Sequence, residues 1–160
     1  IEINNRVNRD MKAGNYAHFK QGEYSAIEND ILTWIKSTYI PIDKLLGEII
    51  NPFPKKISEL SADPYDDNLM YSFCEYLKIC DKKIKRINII FTSNSTPKPI
   101  RNFGLDLYHC FSQVQDALKE FERYTMGYVD NYLHDGNEMI RHAKKIRSKL
   151  KSSKNNLLAC

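Results

Sequence analysis

Two long stretches of the sequence carry apolar residues at intervals that alternate between three and four. The first runs over residues 70–91 and the second over residues 107–132. Such spacing lines up apolar side chains along one side of an α-helix, and two helices of this kind bury those sides against each other. Ile87, Ile89, Ile90 and Phe91 would also fit a short strand, but no partner strand is evident. The chain is therefore predicted to be all-α.

Shorter amphipathic stretches surround these two helices. One begins near Glu23 and is expected to end or kink at Pro41, because proline lacks the amide hydrogen that a helix interior needs. Asp63 followed by Pro64 is expected to start the next helix as its N-cap. Residues 92–104 form a predicted loop, and Gly136 is expected to break or kink a helix that would otherwise reach about 70 Å. We predict one domain, residues 1–160, built as a bundle of four to five main helices, with an N-terminal arm at residues 1–20.

Four cysteines lie in the chain without a CxxC spacing, which argues against a zinc site or a redox pair. Cys160 ends the polar tail at residues 152–160, and a disulfide would anchor that tail. We predict the bridges Cys80–Cys110 and Cys74–Cys160, with the swapped pairing as the alternative. Disulfides imply an oxidising compartment, so the chain is predicted to be secreted. Asn94 begins an Asn-Ser-Thr triplet and is a candidate glycosylation site.

Few residues suggest catalysis. No phosphate-binding glycine loop and no HExxH motif occur in the sequence. His134, Glu138 and His142 have a spacing that suits a metal ion on one helix face, but the expected break at Gly136 and the nearby basic residues argue against it. We therefore predict no enzyme activity, no metal and no cofactor.

Basic residues dominate the C-terminal part of the chain, where residues 137–160 carry seven Lys or Arg against one acid. A second basic cluster lies on the helix over residues 70–91. If the two helices pack side by side, they make one positive face that attracts an acidic protein surface, an anionic glycan or anionic lipid. Nucleic acid is disfavoured, because the aromatic residues fall on the apolar seams. No apolar run is long enough to cross a membrane. The candidate binding residues are Lys82, Lys83, Lys85, Arg86, Arg141, Lys144, Lys145, Arg147, Lys149 and Lys151.

The function predicted from these features is non-enzymatic binding of a protein or polyanionic partner at the surface. In general style the chain is similar to the small disulfide-stapled helical proteins that parasites and blood-feeding arthropods secrete. This likeness implies a host-directed effector of haemostasis or immunity, or a cytokine-like module. The alternative is a carrier of a small apolar ligand inside the bundle, because Phe121, Tyr124, Tyr128 and Tyr132 fall on one helix face.

Overall fold

The computed structural model describes residues 21–159, and over this range the chain is helical without a strand. The all-helical prediction is confirmed. Four long rods and one short helix make up this part of the chain. Their bounds are α1 (Gln21–Trp34), a π-helical segment (Ile35–Tyr39), α2 (Ile40–Ile50), α3 (Phe53–Ala62), α4 (Asp67–Ser93), a 3-10 turn (Lys98–Ile100), α5 (Arg101–Gly127) and α6 (Asp130–Ala159).

Pro41 does not end the first rod, so the predicted end is wrong; a π-helical segment precedes the proline instead. The amide of Ile40 donates to the carbonyl of Ile35, five residues back, in the π-helical segment that precedes the proline. A π turn is wider than an α turn, so the proline ring has more room beside the preceding carbonyls. The segments α1 and α2 therefore run on as one rod.

The helix start predicted at Asp63 is wrong by three residues. Asp66 is the N-cap of α4, and its carboxylate accepts hydrogen bonds from the amides of Asn68 (2.9 Å) and Leu69 (3.1 Å). Asp63 instead follows the end of α3, where its amide donates to the carbonyl of Glu59. The predicted loop is also shorter than expected, since α5 begins at Arg101.

Gly136 lies inside α6 and does not break it, so the predicted break is wrong. The turn falls at Tyr128, which adopts a left-handed conformation with φ 58° and closes α5 with a hydrogen bond from its amide to the carbonyl of Tyr124. Gly136 is buried, and a Cβ there would lie 2.5 Å from Cε1 of Phe121. The glycine thus serves close packing between α5 and α6. The C-terminal tail is helical to Ala159 instead of irregular, and Leu157 is buried.

The order of the rods follows from their contacts. Helices α5 and α6 form an antiparallel hairpin, α4 packs on α5, and α2 packs on both α4 and α6. Helix α3 lies across one end against α4 and α6. There the ring of Phe53 packs on Phe73 of α4 and on Phe121 of α5, with centroid distances of 6.3 and 4.8 Å. Helices α4 and α6 are thus separated by α2 on one side and by α5 on the other.

An ion pair fastens α6 to α2. The guanidinium of Arg147 donates to both carboxylate oxygens of Asp43, at 2.8 and 3.4 Å, and both side chains are about three-quarters buried. Gly47 leaves room for this guanidinium, because a Cβ there would lie 2.7 Å from Nη2 of Arg147. The pair therefore belongs to the packing of the two helices.

A double-mutant cycle on Asp43→Ala and Arg147→Ala is expected to give a coupling free energy of about 1–2 kcal/mol, because the pair is hydrogen-bonded and largely shielded from water. The exposed pair Arg141–Glu138, at 3.3 Å on α6, is the matched control. Its coupling is expected to stay near 0.3–0.5 kcal/mol, roughly the value for surface pairs one helical turn apart. Urea unfolding of both cycles checks this, and equal coupling in the two would contradict it.

The predicted Cys80–Cys110 disulfide is wrong, because both thiols are free and each has a different neighbour. The Cys110 thiol donates to the carbonyl of Ala143 on α6, at 3.3 Å, whereas Cys80 lies beside the hydroxyl of Tyr76 on α4. Cys74, Cys80 and Cys110 are all free thiols. Cys160, to which Cys74 was assigned, lies outside the described residues, as does the predicted arm at residues 1–20.

Candidate functional site

The basic residues of α4 are partly engaged in ion pairs. Lys83 reaches Glu48 on α2, with 3.2 Å between its nitrogen and the carboxylate oxygen, and Lys85 pairs with Asp81 at 3.0 Å. Lys82 and Arg86 are exposed and form no ion pair within the described residues. Of the predicted cluster on α4, half is therefore neutralised by neighbouring carboxylates.

The basic residues of α6 are much less neutralised. Arg147 is engaged with Asp43, and Arg141 with Glu138. Lys154 is half-buried. The remaining four are exposed and make no ion pair with any residue that the structure describes. We call these four, Lys144, Lys145, Lys149 and Lys151, the α6 lysine face.

The two predicted clusters do not join into one positive face. Their helices, α4 and α6, lie diagonally across the bundle with α2 and α5 between them. Side-by-side packing was the condition for a joint face, and it is not met. Within the described residues, a partner that requires concentrated positive charge therefore finds it on α6.

The opposite end of the bundle is acidic. Residues 57–67 and 124–138 meet there, at the α3–α4 turn and the α5–α6 turn, and neither segment contains a Lys or Arg. Together they carry seven acids, which are Glu59, Asp63, Asp66, Asp67, Asp130, Asp135 and Glu138. The molecule is thus electrostatically polarised along α6.

The predicted tyrosine stripe is divided by the α5–α6 turn. Tyr124 is buried at the end of α5, Tyr128 forms the turn, and Tyr132 lies on α6 with the guanidinium of Arg123 over its ring at 6.0 Å. Phe121 packs in the core against Phe53. The four side chains therefore do not line a common ligand pocket inside the bundle.

A surface cleft of about 340 Å³ lies at the acidic end, between α3, α5 and α6. We call it the end cleft, and its lining includes Ile57, Tyr124, Asp130, Leu133, His134 and Asn137. Tyr65 and Tyr128 stand beside it, because Tyr128 contacts the ring of Tyr124 at 6.1 Å and that of Tyr65 at 5.8 Å.

Sequence reasoning did not find the end cleft, because Tyr65 is 59 positions from Tyr124 in the chain. A signal was present in the sequence: residues 57–67 and 124–138 share an excess of acids and an absence of Lys and Arg. Only the antiparallel packing of the rods brings these two segments together.

The structure also places two other sites that were considered from the sequence, a glycosylation site and a metal site. Asn94 follows α4, and its side-chain amide donates to the carbonyl of Ile90 at 3.3 Å; its glycosylation stays a prediction. His134, Glu138 and His142 share the continuous helix α6, yet no group of three or more potential ligands in the described range is arranged to hold a metal ion. No helix in that range is both long and apolar enough to cross a membrane.

Comparison with known proteins gives a family match. Residues 26–158 match the model of a family described as the cyanobacterial DnaJ chaperone, C-terminal domain. The match begins within α1 and ends in the last turn of α6. No curated protein and no solved structure matches the chain.

Proposed function

The chain belongs to the family of cyanobacterial DnaJ chaperone C-terminal domains, and from this premise we propose that it is a non-enzymatic domain that binds a protein partner. We assign the contact to the α6 lysine face, which takes an acidic segment of that partner. The word chaperone in the family's description favours a polypeptide over a glycan or a lipid surface.

One observation carries the proposal, namely the lack of charge compensation on α6. The α6 lysine face places four lysines within eight consecutive positions of one helix, Lys144, Lys145, Lys149 and Lys151. No acid occurs in residues 139–160. Surface lysines are common simply because they keep a protein soluble, and most of them lie among acids. On α4, where Lys83 and Lys85 pair with carboxylates, this ordinary arrangement is present. The concentration of unpaired positive charge on α6 supports attraction of an acidic partner.

Secretion and ligand carriage lose the features that favoured them. The thiols of Cys80 and Cys110 are free, so they supply no reason to place the chain in an oxidising compartment. Tyr124 and Phe121 fill the core instead of bordering an internal ligand site. Secretion and ligand carriage stay predictions, and neither enters this proposal.

The test is charge reversal on α6. Lys144→Glu/Lys145→Glu/Lys151→Glu is expected to weaken binding of a fluorescent glutamate-rich peptide at least tenfold at low ionic strength, which is roughly 1.4 kcal/mol. The same peptide should bind the unmodified chain progressively more weakly as salt is added, because exposed charges are screened. Fluorescence anisotropy measures both effects. Arg147 is left unchanged because its loss would disturb the packing of α2.

The matched control is Lys36→Glu/Lys98→Glu/Lys119→Glu. These lysines are exposed, form no ion pair within the described residues and lie outside α4 and α6. The net charge changes by the same amount, so equal weakening by both variants would reduce the effect to overall charge and overturn the proposal. Binding of heparin without binding of the peptide would overturn it too, and would favour a glycan partner.

A further inference from the structure

Two exposed tyrosine rings stand at the rim of the end cleft, and the cleft contains a carboxylate that has no cationic partner among the described residues. Tyr124, Tyr128 and Tyr65 follow one another in contact, with interplanar angles of 77° and 44° between successive rings. Tyr124 is buried, so the open ring faces are those of Tyr128, which is 40% exposed, and of Tyr65, which is 78% exposed. Asp130 lines the cleft and forms no ion pair with a described residue.

The carboxylate of Asp130 is close enough to influence the pKa of Tyr124, which lines the same cleft. Burial raises the pKa of Tyr124, and the charge of Asp130 raises it further. An aspartate in the first turn of a helix is common for stability alone, so Asp130 by itself carries no weight. Its importance comes from its position in a cleft beside the exposed rings of Tyr128 and Tyr65, where the two segments that meet, residues 57–67 and 124–138, contain no Lys or Arg.

The C-termini of α3 and α5 reach the same end of the bundle. Their last carbonyl groups add partial negative charge there, and Asp130 offsets the partial positive charge at the start of α6. Aromatic ring faces attract cations, and the attraction grows where a carboxylate is near and water is partly excluded. A cationic group suits this combination better than an anion or a purely apolar group does.

The backbone at Tyr128 adopts a conformation that is uncommon for a residue other than glycine. A left-handed conformation costs about 1–2 kcal/mol for a residue other than glycine, and the preceding residue, Gly127, lies within α5. The turn therefore holds an unfavourable backbone conformation at Tyr128, whose ring lies between those of Tyr65 and Tyr124.

We infer that the end cleft binds the cationic side chain of a polypeptide, a lysine ammonium or an arginine guanidinium, between the tyrosine rings and Asp130. This site is separate from the α6 lysine face and requires the opposite charge in its ligand. The test of this site is therefore independent of the test of the proposed function.

The probes are three capped pentapeptides, Gly-Gly-X-Gly-Gly, in which X is lysine, arginine or norleucine. Norleucine keeps the aliphatic chain of lysine and lacks its charge. We expect the lysine and arginine peptides to shift the NMR signals of the rings of Tyr65, Tyr124 and Tyr128 in the intact chain, and the norleucine peptide to leave them unchanged. Equal shifts with norleucine, or no shift with any peptide up to about 20 mM, would overturn the inference.

The variants test the two halves of the site separately. Asp130→Asn, and Tyr65→Leu/Tyr128→Leu, which keeps apolar bulk, are each expected to weaken binding of the lysine peptide by about fivefold or more. Asp135→Asn removes an exposed acid one turn further along α6 and is expected to leave binding unchanged. Circular dichroism of each variant establishes that the helices are retained. A loss in Asp135→Asn equal to that in Asp130→Asn would assign the effect to general charge and overturn the site.

Discussion

Replacing Gly136 with alanine is expected to lower the free energy of unfolding by about 2 kcal/mol, although alanine is the better helix former. In an open helix position the same change would raise stability by about 1 kcal/mol. Here the new methyl group would lie 2.5, 2.7 and 2.9 Å from three carbons of the Phe121 ring. That ring cannot move aside easily, because Phe53 stacks on it at 4.8 Å and Phe73 meets it edge-on at 5.6 Å. Overpacking of a filled core costs about 1–3 kcal/mol and more than cancels the gain in helix propensity.

The matched control is Gly127→Ala at the end of α5. A Cβ there meets only the side chain of Val129, at 3.9 Å, and Gly127 is exposed. Its stability is expected to stay level or to rise by up to about 1 kcal/mol. In the Gly136→Ala background, Phe121→Leu should cost less than it does alone, since the smaller side chain relieves the crowding. Urea unfolding of the four variants measures this, and a gain in stability from Gly136→Ala would contradict it.

The packing at Gly136 explains one limit of sequence reasoning about this fold. The apolar spacing over residues 70–91 and 107–132 predicted the two helices that became α4 and α5, because that pattern is local and repeats every turn. A glycine gives the same local signal whether it ends a helix or lets two helices approach closely. Only the ring of Phe121, fifteen positions earlier in the chain, distinguishes the two cases.

Two other elements were not predicted, because their local sequence is compatible with more than one structure. Helix α3 was not predicted, because prolines such as Pro52 and Pro54 are typical of a helix end, although proline is well tolerated in the first turn of a helix. Its buried residues Phe53, Ile57 and Leu60 already show helical spacing. The left-handed turn at Tyr128 could not be predicted, because local preference favours glycine there. In the structure, the ring of Tyr128 contacts those of Tyr65 and Tyr124 at this turn, and Tyr65 comes from a distant segment of the chain.

The candidate site was predictable only in part. The lysines of α6 could be recognised from composition, because charge excess in a short segment does not depend on the fold. Their separation from the α4 cluster depends on which helices are neighbours in the bundle. The spacing of residues along one helix contains no information about that order.

Raising the pH from 8 to 10 is expected to lower the free energy of unfolding by about 4 kcal/mol, through two buried thiols. Burial raises the pKa of Cys110 to about 12 and that of Cys80 to about 11. In the unfolded chain a thiol ionises near pH 8.5. Stability that depends on the neutral thiol is therefore complete below about pH 8.5 and is lost as the pH rises toward 11 or 12. Each thiol contributes about 2 kcal/mol of the loss between pH 8 and 10, at about 1.4 kcal/mol for each pH unit beyond 8.5.

Two buried tyrosines act in the same direction. Burial raises the pKa of Tyr39 and Tyr76, and the hydroxyl of Tyr76 donates to the carbonyl of Ile49 at 2.6 Å, a bond that ionisation would remove. An unfolded tyrosine ionises near pH 10, so the tyrosines steepen the loss mainly above that value. The thiols dominate between pH 8 and 10, and this difference in range allows the two contributions to be separated.

Urea unfolding at half-unit pH steps, with reductant present, measures this dependence. Cys80→Ala/Cys110→Ala is expected to be less stable at pH 8, because two buried side chains become smaller, yet to lose only about 1 kcal/mol up to pH 10. Cys74→Ala, at a half-buried thiol, is the matched control and should keep the steep loss of the unmodified chain. If the double variant loses stability as steeply as the unmodified chain, Cys80 and Cys110 ionise without cost in the folded state, and the burial of their thiols between these helices is refuted.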